Sequence, residues 1–304
     1  MIRILLVKLY FQSLEAKRPT TRKDFLDALA ELAHGFNGIR DTYITMWAQI
    51  LQQGAREVEM AKNVFIWVSY STRLLSIQEL QHALAAENPA FAAAGEDALS
   101  DQSSITEPCL GLINFSEHGI VEFMHPTAWE TFPDYLKDKL TQAQSKMCRT
   151  CLTYLSFNDL GPCNFDEQIE RCLHQFPLLS YAATEWAWHA SQSEDRFKRR
   201  ELLTWLSFTE YVERAGRIAV FLRPDYRPHI PSLPRDMVAL HLTAYFGLHD
   251  VVAVLLWRGG KPGDLIGDCW TGMWRLAALL GLLDVIRTLL ARHLTPSAIA
   301  VCLL

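Results

Sequence analysis

Hydrophobic positions recur every three or four residues along most of this chain, which is the period of an amphipathic helix. One such stripe consists of Met147, Cys148, Cys151, Leu152 and Leu155. The period changes to two between residues 112 and 124, where two alternating segments flank the turn sequence Ser-Glu-His-Gly. This alternation predicts a β-hairpin. The pattern as a whole therefore predicts a mainly α fold with one hairpin.

Three helices are predicted in front of the hairpin. The sequence Ser76-Ile77-Gln78-Glu79 has the form of a capping box and should begin the second of them. Ser104-Ile105-Thr106-Glu107 is predicted to cap a short third helix in the same way. Three helices followed by a hairpin are the arrangement of a winged helix.

The C-terminal part contains an internal repeat. The stretch Leu240–Leu256 returns 34 residues later as Trp274–Leu290, with eight of 17 paired positions identical. Gly247 and Gly281 occupy the same place in the two copies, where a turn should separate two helices. A fixed spacing of this size indicates stacked repeats, which present extended surfaces to partners. The repeat therefore favours recognition over catalysis.

The repeat resembles the ankyrin repeat, whose signature is T-P-L-H-x-A-A-x-x-G-H-x-x-V-V-x-x-L-L-x-x-G. Val238–His241 stands at the T-P-L-H position in the first copy, and the degenerate Gly272–Arg275 stands there in the second. In that family the two variable positions before each turn glycine face the concave, partner-binding side.

The resemblance implies a set of partner-binding residues made of those variable positions and two tryptophans near the loops: Tyr245, Phe246, Leu279, Leu280, Trp257 and Trp270. Apolar side chains exposed together usually mark a binding site. The alternative is that they pack on the preceding helices or on further repeats, and the sequence favours neither interpretation.

Composition limits the classes of partner. The chain has 304 residues, 50% of them hydrophobic, and a net charge of −5, which argues against non-specific binding to nucleic acid or anionic membrane. The most apolar window, Met273–Leu290, contains Arg275, Asp284 and Arg287, so we expect no membrane span. Seven cysteines without an export signal predict free thiols and a cytoplasmic location.

Several cysteines and aromatic residues are of types that can bind a metal or a cofactor. Cys148-x-x-Cys151 with Cys163, Cys172 and His174 is a conceivable zinc set, but the spacings match no common zinc finger. We therefore expect structural thiols and no metal. The segment 176–188, which ends in two tryptophans, Trp186 and Trp188, is interpreted as core.

Four longer strings carry a further resemblance: LLVKLYFQSLEAKRPTTRKDFLDALAEL, NVFIWVSYSTRLLSIQELQHALAAE, CLGLI and VEFMHPTAWETF. They resemble the fungal NACHT–ankyrin proteins, which belong to the STAND class of signalling NTPases and are related to NOD-like receptors. The resemblance implies C-terminal helices of a NACHT-type module in residues 1–55 and a winged helix in 56–135. It also implies an α-helical linker in 136–232 and about two ankyrin repeats in 233–304.

The phosphate-binding signature of a NACHT module, G-x-x-x-x-G-K-[ST], is absent from the sequence. Gly259-Gly260-Lys261-Pro262 does not supply it, because its lysine precedes a proline. We therefore expect no enzymatic activity and no cofactor, and we interpret the chain as a protein–protein interaction or scaffold module. The alternative is the regulatory and sensing half of a longer ATP-dependent STAND switch, which would bind ATP or ADP through a P-loop part missing here. The apolar tail at 296–304 also leads us to expect that the repeat array continues.

Two local features bear on these alternatives. His125 stands at the place of the Met-His-Asp histidine that contacts ADP in STAND proteins, with Pro126 in place of the acid; the alternative is that it only caps the next helix. The predicted third helix, Ser103–Leu110, carries no basic residue, and Glu117 and Glu122 lie in the hairpin. DNA binding through this winged helix is therefore not expected.

Overall fold

A computed structural model describes residues 21–24, 26–27, 39–87, 99–125, 127–128, 132, 142–161, 163–193, 196–223, 239–258, 284 and 287. These residues are mainly helical, with a single two-stranded sheet among them, so the predicted mainly α class is confirmed. Backbone contacts divide the chain into two compact units, residues 1–143 and 144–304. The four-part division drawn from the sequence stays a prediction.

The first unit contains four described helices and the hairpin. They are α1 (Ile39–Ile50), α2 (Ala55–Tyr70), α3 (Ile77–Ala85), α4 (Gln102–Thr106), β1 (Ile113–Phe115) and β2 (Val121–Phe123). A 3₁₀ turn, Glu107–Cys109, extends α4 toward the hairpin. This order, helices first and hairpin last, is the one that the hydrophobic pattern predicts.

The capping box at the start of α3 is confirmed. The Ser76 hydroxyl accepts from the Glu79 amide, and the Glu79 carboxylate accepts from the Ser76 amide. Arg73 adds two hydrogen bonds to the same carboxylate, so Glu79 joins the loop to the helix.

The predicted cap of the third helix is wrong. Asp101, not Ser104, caps α4, because the Asp101 carboxylate accepts from the Ser104 amide and the helix begins at Gln102.

The hairpin is antiparallel, with Ile113 opposite Phe123 and Phe115 opposite Val121. Gly119 allows its turn, since φ is +71° there. The loop before α3 adds a third, short edge: the Val121 amide donates to the Leu75 carbonyl over 2.8 Å. The hairpin is therefore tied to the N-terminal end of α3.

An aromatic cluster fills the core of the first unit. Phe65 lies at its centre, with ring centroids 5.1 Å from Trp47, 5.9 Å from Phe123 and 5.0 Å from Phe132. Tyr43 completes it, 5.2 Å from Phe132. All five side chains are at most 4% exposed. Buried aromatic side chains remove large apolar areas from water, so this cluster dominates the packing energy of the first unit.

The second unit is an array of helices. They are α5 (Ala143–Leu155), α6 (Asp166–Gln175), α7 (Leu179–Ser191), α8 (Arg196–Trp205), α9 (Thr209–Phe221), α10 (Ala239–Tyr245) and α11 (His249–Trp257). A 3₁₀ turn, Asn158–Leu160, joins α5 to the loop before α6. α9 packs against α7 and α10, so it links the helices of the predicted linker to the predicted repeat.

The predicted apolar stripe of α5 faces the core, and Met147, Cys151 and Leu155 are fully buried. Trp186 is buried as predicted, but Trp188 is 42% exposed, so its interpretation as core is wrong. Trp186 and Trp188 point to different sides of α7, because residues two positions apart in a helix do not share a face.

Candidate partner-binding surface

The helix pair α10–α11 has the geometry that the first repeat copy predicts. α10 ends at Tyr245, Gly247 turns the chain with φ at +71°, and α11 begins at His249. The Leu248 amide donates to the Thr243 carbonyl over 2.9 Å, which closes the end of α10. Ala244 is fully buried. The second copy lies outside the described residues apart from Asp284 and Arg287.

Tyr245 and Phe246 sit side by side at the end of α10, and both are half-buried. Phe246 turns inward, because its ring meets that of Trp186 edge to face at 5.2 Å. Tyr245 lies edge-on to Phe246 at 4.9 Å, and the Arg223 guanidinium lies 5.7 Å from the Tyr245 ring. Phe246 therefore attaches the pair to the buried Trp186, and Tyr245 lies between Phe246 and Arg223.

Trp257, the last residue of α11, is 73% exposed, whereas Val252 and Leu256 on the same helix are buried. An exposed tryptophan leaves a large apolar area in water. The other three predicted partner-binding residues, Trp270, Leu279 and Leu280, lie outside the described residues.

A groove of about 670 Å³ runs beside the α10–α11 turn. The turn forms one wall, and α5, α8 and the end of α7 form the rest. Leu152, Leu202 and Val251 contribute apolar surface to its lining. The sequence did not reveal this groove, since its walls come from segments that lie about 100 residues apart.

The rim of the groove is charged. Arg149 of α5 and Glu201 of α8 form a bidentate ion pair, with N–O distances of 2.9 and 3.0 Å. Both side chains are more than half exposed, so this pair adds little stability. His249 and Asp250 at the turn are in contact at 3.2 Å. The groove thus combines charged, hydroxyl and apolar side chains, and mixed surfaces of this kind are common where proteins bind one another.

His125 is engaged locally. Its Nδ1 atom accepts from the Thr127 amide at 3.2 Å and lies 2.9 Å from the Thr127 hydroxyl, which in turn is 2.7 Å from the Tyr43 hydroxyl. The Ala128 amide donates to the His125 carbonyl over 3.0 Å. His125 therefore holds the following backbone twice, through its ring nitrogen at Thr127 and through its carbonyl at Ala128.

The cysteines are free thiols where the structure describes them. Cys148 and Cys151 lie buried on α5, and Cys163 and Cys172 lie against each other elsewhere in the second unit. No group of three or more potential metal ligands occurs within the described ranges. The conceivable zinc set is thus split between two places.

His189 of α7 is a buried histidine between two polar partners. The Tyr181 hydroxyl lies 2.8 Å from its Nε2 atom, and the Gln144 side-chain oxygen lies 2.5 Å from Nδ1. Because that amide oxygen can only accept, Nδ1 carries the proton and Nε2 accepts from the tyrosine. Burial lowers the pKa of His189 to about 4, so the ring is neutral and structural at pH 7.

No family model, curated protein or solved structure matches this chain. Among the described residues, no helix combines the length and the apolar character needed to cross a membrane.

Proposed function

We propose that this chain is a non-catalytic protein–protein interaction module related to the NACHT–ankyrin signalling proteins, and that it binds a protein partner through the α10–α11 surface. That surface is defined as Trp257 at the C-terminal end of α11, Tyr245 at the end of α10 with the neighbouring Arg223, and the groove beside the α10–α11 turn, which is lined by other residues. In this proposal residues 56–135 are a winged helix and residues 233–304 belong to an ankyrin-type array.

The order of elements in the first unit supports the winged-helix part of the proposal. α2, α3 and α4 precede a hairpin that pairs with the loop in front of α3. The exposed residues of α4 are Gln102, Ser103 and Ser104, and none of them is basic. These residues supply no positive charge that could neutralise DNA phosphates, so DNA binding through α4 is not part of the proposal.

The exposure of Trp257 is the observation that carries the proposal. Tryptophan, tyrosine and arginine are the residue types most enriched at binding hot spots, and Arg223, Tyr245 and Trp257 supply one of each. Tyr245 and Trp257 belong to the helix pair that has a sequence counterpart 34 residues later, and stacked repeats bind partners on continuous surfaces.

A quantitative affinity capture tests the proposal. The full-length chain is immobilised, incubated with extract of the cells that produce it, and compared with Trp257→Ala and Trp188→Ala. Trp188 is the matched control, since it is also an exposed tryptophan of the second unit. We expect a partner that Trp257→Ala loses at least about tenfold and Trp188→Ala retains. Equal retention by both variants would contradict the proposed surface.

The alternative, a sensing half of an ATP-dependent switch, rests on His125. The bonds of Nδ1 to Thr127 give this ring a local role that does not require a nucleotide. A melting titration with ADP separates the two functions. The interaction module predicts no change of melting temperature, whereas the alternative predicts a rise that His125→Ala removes.

A further inference from the structure

Two cysteines of the second unit share one hydrogen-bond acceptor. Cys163 lies in the loop before α6, and Cys172 lies on α6 itself. Their sulfur atoms are 3.7 Å apart, and they lie 3.3 and 3.2 Å from the same Leu160 carbonyl oxygen.

The backbone at Cys163 is unusual for a core residue. Its φ is +49°, in the left-handed region that a residue with a Cβ seldom adopts. Strain of this kind persists only where the surroundings hold it, and it concentrates at functional positions. Cys109 shows the ordinary alternative, because it is fully buried and only donates to Ile105, one helical turn earlier.

The two thiols differ in access to solvent. Cys163 is 1% exposed, whereas Cys172 is half-buried. Burial, followed by the neighbouring Cys172, raises the pKa of Cys163 to about 12, although Arg214 and Arg217 act in the opposite direction. Cys163 is therefore a protonated thiol at pH 7, and Cys172 is the sulfur that a dissolved oxidant reaches.

The guanidinium groups of Arg214 and Arg217 act on Cys163 and would stabilise a thiolate that forms there during a reaction. Arg214 is 5% exposed, donates to the Phe157 carbonyl and lies 5.6 Å from the Tyr211 ring centroid. Its Nε atom has no hydrogen-bond partner. A buried cation favours a thiolate over a thiol, which aids proton loss from Cys163 during the reaction.

We propose that Cys163 and Cys172 form a reversible oxidation site that closes to a disulfide when the chain meets a peroxide. The Cys172 thiol loses its proton, the thiolate attacks one peroxide oxygen and the O–O bond breaks; the departing hydroxide takes up that proton, so a sulfenic acid and one water form. The Cys163 sulfur then attacks Cys172, the S–O bond breaks, and the departing hydroxide takes the Cys163 proton. Two thiols and one hydrogen peroxide thus become one disulfide and two waters, with both sulfurs oxidised and both peroxide oxygens reduced.

The cross-link would tie α6 to the loop in front of it. The sulfurs need only move from 3.7 Å to the bonding distance of about 2.05 Å. Because α6 packs against α7 and α9, which carry Trp186 and Arg214, its local opening should become rarer. We expect hydrogen exchange of α6 to slow in the oxidised protein and to return to its initial rate with a dithiol reductant.

Peptide mapping of the peroxide-treated, alkylated full-length chain tests the site. Trypsin cuts after Arg149, Arg171 and Arg196, so Cys163 and Cys172 fall on different peptides, 150–171 and 172–196. We expect these peptides to be joined, two hydrogen atoms lighter than their sum, and to separate on reduction. Recovery of both peptides in alkylated form, or Cys172 oxidised to sulfinic acid without a cross-link, would overturn the proposal.

Peptide 150–171 also contains Cys151, which supplies the matched control. The joined peptides should persist in Cys151→Ser and vanish in Cys163→Ser and Cys172→Ser. A cross-link that survives Cys163→Ser would assign the bond to Cys151 and overturn the proposal. Fragment ions of the wild-type peptide locate the bond independently, so the result does not depend on the folding of any variant.

Discussion

The aromatic residues of the two units have different environments. In the first unit Phe65 is enclosed by Trp47, Phe123 and Phe132, and none of the four is more than 4% exposed. At the end of α11, Trp257 is 73% exposed. Both sets lie on or beside amphipathic helices, so spacing alone does not distinguish them. The difference shows that exposure, and not aromatic content, separates an aromatic cluster that stabilises a core from an aromatic side chain that remains in water.

The largest expected effect lies in the aromatic cluster. Phe65→Ala should lower the free energy of unfolding of the first unit by about 3–5 kcal/mol, because it removes a fully buried ring and leaves a cavity. Denaturant-dependent hydrogen exchange of α2 peptides measures this loss for the first unit alone. A local measurement is needed because the two units need not unfold together. Leu51→Ala is the control in the same unit, as Leu51 is 45% exposed and should cost less than about 1 kcal/mol. A loss below about 1 kcal/mol for Phe65→Ala would contradict the central place of this ring.

The second prediction concerns pH in the second unit. Burial lowers the pKa of His189 to about 4, below the value near 6.5 of an unfolded chain. The unfolded state therefore binds the proton first, and stability falls as pH drops from about 6.5 toward 4. The loss should reach about 3 kcal/mol for a shift of this size. His189→Gln should remove this part of the pH dependence in urea unfolding, and an unchanged pH profile would refute the assignment.

A third prediction uses one glycine from each region. Gly119 in the hairpin turn and Gly247 in the α10–α11 turn both have φ at +71°. Alanine at either place should cost about 1–2 kcal/mol, since a Cβ is disfavoured in that backbone region. Around Gly119 the nearest side-chain atom, Cγ2 of Ile77, would lie 3.7 Å from the new Cβ, so the cost there is purely one of backbone conformation.

Asparagine is the control for both turns, because it tolerates the left-handed region better than alanine. Gly119→Asn and Gly247→Asn should each unfold at a higher urea concentration than the alanine variant at the same place. Equal midpoints for the two substitutions would mean that backbone conformation does not limit these turns.

The smallest expected effect on stability is at the exposed tryptophan. Trp257→Ala should change the free energy of unfolding by less than about 0.5 kcal/mol, since the side chain is mostly in water. Thermal or urea unfolding measures this. A loss above about 2 kcal/mol would show that Trp257 is part of a core.

Local signals in the sequence predicted local structure well. The Ser76–Glu79 capping box, the hairpin and the break at Gly247 all depend on neighbouring residues, and all are present. The cap of α4 was placed wrongly because Asp101 and Ser104 are both good capping residues within one turn, and the sequence does not say which begins the helix.

Contacts between distant segments were not predictable in this way. The inward turn of Phe246 depends on Trp186, 60 residues earlier. The groove depends on the approach of α5, α8 and the α10–α11 turn. The sequence predicts structural thiols at Cys163 and Cys172, but it does not predict their contact, because nothing in the neighbouring residues indicates the positive φ at Cys163.

The most direct test of the account measures stability and binding on the same purified protein. Once a partner is captured, its Kd is determined for wild type, Trp257→Ala and Trp188→Ala, beside the free energy of unfolding of each. We predict for Trp257→Ala a Kd raised at least about tenfold, or about 1.4 kcal/mol, with an unfolding free energy within about 0.5 kcal/mol of wild type. An unchanged Kd together with a lowered unfolding free energy would contradict the account, because Trp257 would then stabilise the fold and not recognise a partner.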